Sequence, residues 1–347
     1  MRLSGAAFAL ILFAGAGTAA AETAKPIAIT IGAVPSVPAA STYLALDEGY
    51  FRAAGFAVKI ETIDSASKVI PYLASNQMQV VQGGISVGYF NALAQGLPIA
   101  MVLDNASSPL YHDLLVRPDL KDRIKTVADL KGRTVALVSP GAITTYELGK
   151  TLETAGLTIK DVTVTYVPFT QMGAAFANKA IDVALEVPPF GDLLVEKGLA
   201  ARWIDPDKLI RPTPMSLVAY MINTDWAKAN PGPAQRLVAA LLRASRDYCQ
   251  AYHHGPNRPQ VIDTLVKHGA VTDKALLERI AWQARNVDGE FNMASLIDIQ
   301  SWFFLHHMID KTVTADRLAD ESYAKAAARQ LGPFTLINKG DHLAGCR

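Results

Sequence analysis

The chain has almost no surplus of charge: 33 Lys and Arg stand against 32 Asp and Glu over 347 residues, a formal +1. That balance offers no broad electrostatic surface to nucleic acid or to an acidic membrane. Cysteine is scarce too. Two residues, Cys249 and Cys346, are too few for a disulfide-framework fold or a thiolate metal cluster. The histidine pairs His253-His254 and His306-His307 point about 100° apart on a helix, and no H-E-x-x-H occurs. They read as surface or helix-end residues, and no metal or cofactor is expected. No G-x-G-x-x-G follows a strand pattern. Gly149-Lys150-Thr151 ends like a P-loop, but Thr144 stands where that motif needs its first glycine, and the tripeptide falls inside a helical pattern. Past the first residues no run of eighteen is apolar throughout, so no membrane-spanning helix is expected there.

What is present begins with "MRLSGAAFALILFAGAGTAAAET". One Arg precedes an apolar stretch, Ala6 to Ala14, too short to span a bilayer, and Ala19-Ala20-Ala21 fits cleavage before Glu22. Residues 1–21 are read as a signal peptide, and the remainder as an exported, soluble, periplasmic protein. An oxidising compartment permits a bond between Cys249 and Cys346. Cys249 also shares a helical face with Val238, Leu242, Ser245 and Tyr252, which fits plain core packing equally well.

A pattern then occurs twice. The first copy is a strand Ile27 to Val34, Pro35-Ser36, a helix "STYLALDEGYFRAAGF" ending near Gly55, a strand Val58 to Ile63, a helix Ala66 to Asn76 and a strand in "MQVVQGG". The second is a strand Thr134 to Val138, Ser139-Pro140, a helix from about Ala142 to Ala155 ending at Gly156, a strand Val162 to Val167, a helix Gln171 to Asn178 and a strand in "AIDVALEV". Gly55 and Gly156 sit where a left-handed residue ends a helix. Two such units predict two similar lobes. Small ligands in open α/β sheets bind beyond the carboxyl ends of the strands, so facing lobes would line one cleft. Leu217 to Ile222 reads as a further strand, and a long amphipathic helix starts at Asn230-Pro231. The expected organisation is lobe one over 22–110 and 213–330, lobe two inserted at 111–212, and a tail at 331–347. The hinge is expected near Leu114 to Val116 and Leu217 to Ala219.

The segments "YLALDEGYFRAAGFAVKIE", "NALAQGLPIAMV", "VADLKGRTVALVSPGA", "ANKAIDVALEVPPF" and "NPGPAQRLVAALLRA" resemble the solute-binding proteins of ABC importers, in the branch for sulfonates, taurine, nitrate and thiamine-precursor pyrimidines. The resemblance runs from about Ile29 to Gln330. It implies an α/β, two-lobed type II periplasmic binding fold with a ligand cleft between the lobes. It also implies a monomer that delivers its ligand to an inner-membrane ABC permease and its ATPase. Members often carry Trp-Glu-Pro after the "DA" strand. Here Val187 and Pro188 stand at the Trp and Glu positions, and Glu186 lies early. Whether Glu186 faces the cleft turns on strand alternation, which the sequence leaves open.

In the binding reading one jaw is Ser139, Gly141, Ala142, Ile143 and Thr144. The other is Ser36, Ser41, Thr42, Tyr43, Gly84, Ile85 and Ser86, with Phe169 covering an apolar part. Tyr89 and Tyr111 are weaker candidates. Helix N-termini offer N–H groups to a polar end, though each Ser or Thr is equally a plain N-cap. No Arg or Lys directly follows these strand ends, so the expected ligand is a small organic sulfonate or carboxylate, held without a cation.

Two enzyme readings compete. Gly84-Ile85-Ser86-Val87-Gly88 matches G-x-S-x-G, and Asp225 or Asp288 with His268, His306 or His307 completes a triad order. Against it, "MQVVQG" alternates unlike a buried central strand, and no HGGG-like loop precedes it. The pyrimidine-synthase relatives carry a reactive His and a Cys-rich metal segment, and no Cys-rich run occurs here. A periplasmic sensor subunit would use the same binding chemistry.

Overall fold

A computed structural model describes residues 25–269 and 272–347; the expected signal peptide lies outside them. Ten strands form two five-stranded sheets. β1 (Ile27–Ala33), β2 (Phe56–Thr62), β3 (Val80–Gly84), β4 (Ile99–Ser107) and β10 (Ser216–Asn223) make the first, in the order β2-β1-β3-β10-β4. β5 (Asp113–Val116), β6 (Thr134–Leu137), β7 (Thr163–Tyr166), β8 (Val183–Glu186) and β9 (Ala201–Ile204) make the second, in the order β7-β6-β8-β5-β9. The two orders are equivalent. In each sheet four strands run in one direction, and the strand arriving from the other lobe inserts antiparallel between the third and the fourth: β10 between β3 and β4, β5 between β8 and β9. Both sheets are flanked by helices, as expected for the α/β class.

Several local expectations change in place. The helix expected through Gly55 breaks at Gly49, which is left-handed at φ 72°, into Ala40–Asp47 and Tyr50–Ala53. Gly55 and Gly156 do adopt the left-handed turn, at φ 89° and 70°. The stretches expected to form the hinge, Leu114 to Val116 and Leu217 to Ala219, lie inside β5 and β10 and are buried. A strand paired on both sides cannot absorb rotation, so the connections before them, 108–112 and 205–215, carry the chain between sheets. β3 is buried and central, between β1 and β10, despite its alternating pattern. Its Gln82 is accommodated because Oε1 accepts a hydrogen bond from the Val34 N–H at 3.3 Å.

The 22-residue helix Pro231–Tyr252 opens with Pro at its first turn, where the missing N–H costs nothing. Its apolar face, including Leu237, Leu241 and Leu242, fills the largest core beneath the first sheet. The C-terminal tail runs back along this helix. Tyr252 Oη donates to the Ala344 carbonyl at 2.6 Å, Arg246 donates to that of Gly332 at 2.7 Å, and Cys249 is bonded to Cys346. His253, read from sequence as a surface or helix-end residue, does end this helix, and it is fully buried beneath the tail, beside Asp341. Among the described residues no helix is long and apolar enough to cross a membrane.

Candidate functional site

Loops from both sheets meet around a cavity of about 60 Å³. From the first sheet come Ser36 after β1, the Asp64–Ala66 turn after β2, and Gln82 to Gly84 on β3. From the second come Val138 after β6, Ala142 to Thr144 at the start of helix Ile143–Glu153, Phe169 after β7 and Val187 after β8. Apart from Gln82 and Gly83, inside β3, these lie at a strand's C-terminal end or in the turn or helix start that follows it. The wall is completed by His112 from one connection, by Leu217 and Val218 of β10, and by Gln283.

The two sets of loops touch. The Val87 N–H donates to the Gly141 carbonyl at 2.9 Å, and Ser86 forms an antiparallel bridge with Ala142. The Ser139 hydroxyl is bonded to those of Ser65 at 3.0 Å and Ser67 at 2.9 Å. Two glycines make this approach possible. A Cβ on Gly84 would stand 2.9 Å from Ile143 Cγ2, and one on Gly141 would stand 2.9 Å from Val87 Cβ. Farther from the cavity the same second-sheet helix presses on helix Met293–Leu305. A Cβ on Gly149 would fall 1.9 Å from the Trp302 ring. Trp302 Nε1 donates to Glu153 at 2.6 Å, and Lys150 pairs with Asp298 at 3.2 Å.

The lining is mostly apolar, with unfinished polar groups. Gln82 Nε2, Thr144 Oγ1 and Gln283 Oε1 are buried and have no hydrogen-bond partner. A buried polar atom left so costs about 1–3 kcal/mol until something completes it. The N–H groups of Ile143 and Thr144 also lack a carbonyl acceptor among the described residues, as expected of a helix's first turn. No Lys or Arg lines the cavity. Arg285, close by in sequence, is spent on Asn105 at 3.0 Å, on the Ser41 hydroxyl and on the Tyr248 ring, 3.6 Å away. Asp64 pairs outward with Lys68. His112, 1% exposed, places Nδ1 2.8 Å from Glu147 Oε1 and Nε2 3.2 Å from Gln283 Nε2. Burial opposes a charged imidazole there, but Glu147, with Asp207 and Asp205 behind it, outweighs burial and holds His112 above its ordinary value.

Of the residues singled out from sequence, Ser36, Gly84, Ala142, Ile143, Thr144 and Phe169 line the cavity. Ser139, Gly141 and Ser86 form the lobe contact instead. Ile85 is buried in the first-sheet core and bonds the Leu217 carbonyl through its N–H. Ser41, Thr42 and Tyr43 do not reach the cavity, because the first turns of their helix face the 231–252 helix. Ser41 accepts from Ser245, Thr42 bonds Tyr220 Oη at 2.9 Å, and Tyr43 stacks on His268 at 4.4 Å. Tyr89 is likewise interior, bonded to Leu318 and Met101, and Tyr111 is not in the lining. Glu186 shares the β8 face of Ala184, away from the cavity. It is fully buried with neither oxygen in a well-formed hydrogen bond, so burial, offset only in part by the Val187 N–H nearby, pushes its carboxyl well above the usual range. Ser86 caps helix Val87–Ala94 by accepting from the Tyr89 N–H at 3.3 Å, and no histidine among the described residues bonds it, so the hydrolase arrangement is not assembled. Gln82, His112 and Gln283 were missed. Gln82 lay in a strand already noted, whereas His112 and Gln283 meet across 171 positions and carry no local signal.

A family model described as NMT1/THI5 like matches residues 38–253. The riboflavin-binding protein RibY of Chloroflexus aurantiacus is 26% identical over 238 residues, 66% of this chain. The match spans 64% of that relative's length. Among solved structures, the nitrate-binding protein NrtA of Synechocystis PCC 6803 aligns at a TM-score of 0.70 and 15% identity, over 88% of this chain and 89% of its own. The alkanesulfonate-binding protein SsuA of Xanthomonas axonopodis pv. citri, bound to MOPS, aligns at 0.66 and 20%, over 88% and 98%. The desulfurization enzyme DSZB also shares the fold, at 0.62 and 16% over 88% and 100%. At these identities the likeness speaks for a two-lobed periplasmic binding fold.

Proposed function

The chain belongs to the NMT1/THI5 like family, and we propose that within it this protein is the substrate-binding component of an ABC-type importer. It captures one small organic molecule between its lobes in the periplasm and delivers it to a membrane permease. The observation that carries this reading is the grouping of Gln82 Nε2, Thr144 Oγ1 and Gln283 Oε1, all unpartnered, around one cavity built by both lobes. A ligand completing them gains contacts only when the lobes meet, which shifts the population toward the closed arrangement. The names of RibY, NrtA and SsuA, each a binding protein, support the same role.

The lobe boundaries near 110/111 and 212/213 are part of this proposal. So is the ligand's outline: an oxygen-bearing end, carboxylate or sulfonate, on the free N–H groups of Ile143 and Thr144, and an apolar body against Phe169, Val187 and Leu217. The absence of Lys and Arg from the lining argues against a dianion. A thermal-shift panel of taurine, alkanesulfonates, nitrate, aromatic carboxylates, aminopyrimidines and riboflavin tests the role. Ligand at a hundredfold its Kd adds about 2.7 kcal/mol and raises Tm by a few degrees. Turnover of ester substrates that disappears in Ser86→Ala, with no shift from any compound, would overturn it.

A further inference from the structure

Gln283 and His112 are in contact through atoms that cannot both donate. Gln283 Nε2 carries hydrogens, so at 3.2 Å from His112 Nε2 it donates and the imidazole nitrogen accepts. The ring proton then sits on Nδ1 and is given to Glu147 Oε1 at 2.8 Å. This leaves Gln283 Oε1, without a protein partner, as the amide's free group in the cavity wall. A second ring proton reverses the arrangement. Nε2–H becomes a donor, the facing NH2 repels it, and a half-turn of the amide puts Oε1 on the imidazolium. The NH2 group then occupies the place that Oε1 held. The two amide orientations fill the same space, so the change needs no room beyond that of the side chain itself.

We propose that His112 is the specificity-setting residue of the cavity: through Gln283 it decides whether the wall offers a ligand an acceptor or a donor. Neutral His112 selects a ligand edge bearing N–H, and protonated His112 selects a carbonyl or other oxygen edge. The inference rests on ligand capture at this cavity as proposed above. The groups around the ring favour its charged form. Glu147 faces it from the 143–153 helix, Asp205 and Asp207 from the turn at Pro206–Lys208, and Asp113 follows it in the chain, itself tied to Arg202. Burial opposes that charge, and the carboxylates more than offset it. Each arrangement leaves one polar atom of Gln283 unsatisfied, and the ligand supplies its partner.

The first test needs no ligand. Nitrogen-15 NMR of the protein, labelled at His and Gln, is followed from pH 5 to pH 9. The His112 ring should pass from doubly protonated to the Nδ1–H tautomer, and the Gln283 side-chain NH2 signals should move with the same midpoint. A Gln283 NH2 pair indifferent to that midpoint, or a His112 ring in one state throughout, would overturn the proposal. The second test uses uracil and cytosine, which exchange a carbonyl for an amino group and stay predominantly neutral, so the imidazolium charge acts alike on both. Their affinity ratio should change about tenfold between pH 5.5 and pH 8.5, the worth of one lost hydrogen bond. It should tilt toward uracil in acid and become constant in Gln283→Met. A ratio that drifts equally in Gln283→Met refutes the role of the amide. If neither probe binds while the coupled titration holds, ligand capture at this cavity is in doubt and the His112–Gln283 coupling stands.

Discussion

In the first sheet the strand arriving from the other lobe, β10, is buried along all eight residues. It is backed by a 22-residue helix, by a tail laid over that helix, and by the Cys249–Cys346 bond. In the second sheet its counterpart β5 is also buried but has only four residues, and both outer strands, β7 and β9, are half exposed, where in the first sheet β2 is and β4 is covered. The strand orders match, but the support does not. The first lobe carries the heavier support, while the second meets it mainly through the 139–142 loop and the helix 143–153, which both lines the cavity and rests on Trp302. Equal topology therefore does not mean equal rigidity, because stiffness comes from what packs on a sheet.

The largest expected break in that comparison is reduction of the disulfide, or Cys346→Ser. Releasing a crosslink across 97 positions should cost about 2–4 kcal/mol. Amide hydrogen exchange should show the loss in the 231–252 helix and the first sheet, with the second sheet unchanged. Equal loss in both sheets would mean that the lobes do not differ in the way described. Next is Gly149→Ala. Its methyl would collide with Trp302, so the helix must lift from its support, at about 1–3 kcal/mol. Small-angle scattering should find the ligand-free protein more open, and ligand affinity should fall. Unchanged scattering would show that the contact does not hold the jaw.

Glu186→Gln probes the lighter lobe from inside. A carboxyl whose folded pKa is raised is harmless while protonated, and costs stability as pH climbs above its unfolded value of 4.5. The variant should match wild type at pH 4 and gain about 1–2 kcal/mol at pH 8, read as Tm. His112, also raised, gives a loss of the same sign at higher pH. Its contribution is complete below 6.5 and disappears as pH rises through its folded value. The smallest effect on Tm is expected of Ser139→Ala, which acts on ligand affinity instead. It removes hydroxyl bonds to Ser65 and Ser67 across the lobes, at about 0.5–1.5 kcal/mol each. Calorimetric titration should show weaker ligand binding at nearly unchanged Tm, since only the closed arrangement contains those bonds.

Much of this molecule was readable along the chain. The two copies, their glycine stops and the loops after β1, β3 and β6 came from alternation and turn residues, which act over a few positions. Six of the expected cavity residues line it because they sit on such loops. Others failed for equally physical reasons. Ser41, Thr42 and Tyr43 follow a strand end in sequence, yet the helix they enter turns them toward the 231–252 helix. Glu186 stood one position from Val187, and in a strand one position is the difference between opposite faces. The amino-acid sequence by itself determined the alternating elements, their order and the class of loop that each strand delivers, because these depend on local sterics and periodicity. Only the tertiary structure decided that His112, Glu147 and Gln283 meet and that Gly149 yields its side chain to Trp302. Those facts arise where two lobes press together, and no spacing within either one records them.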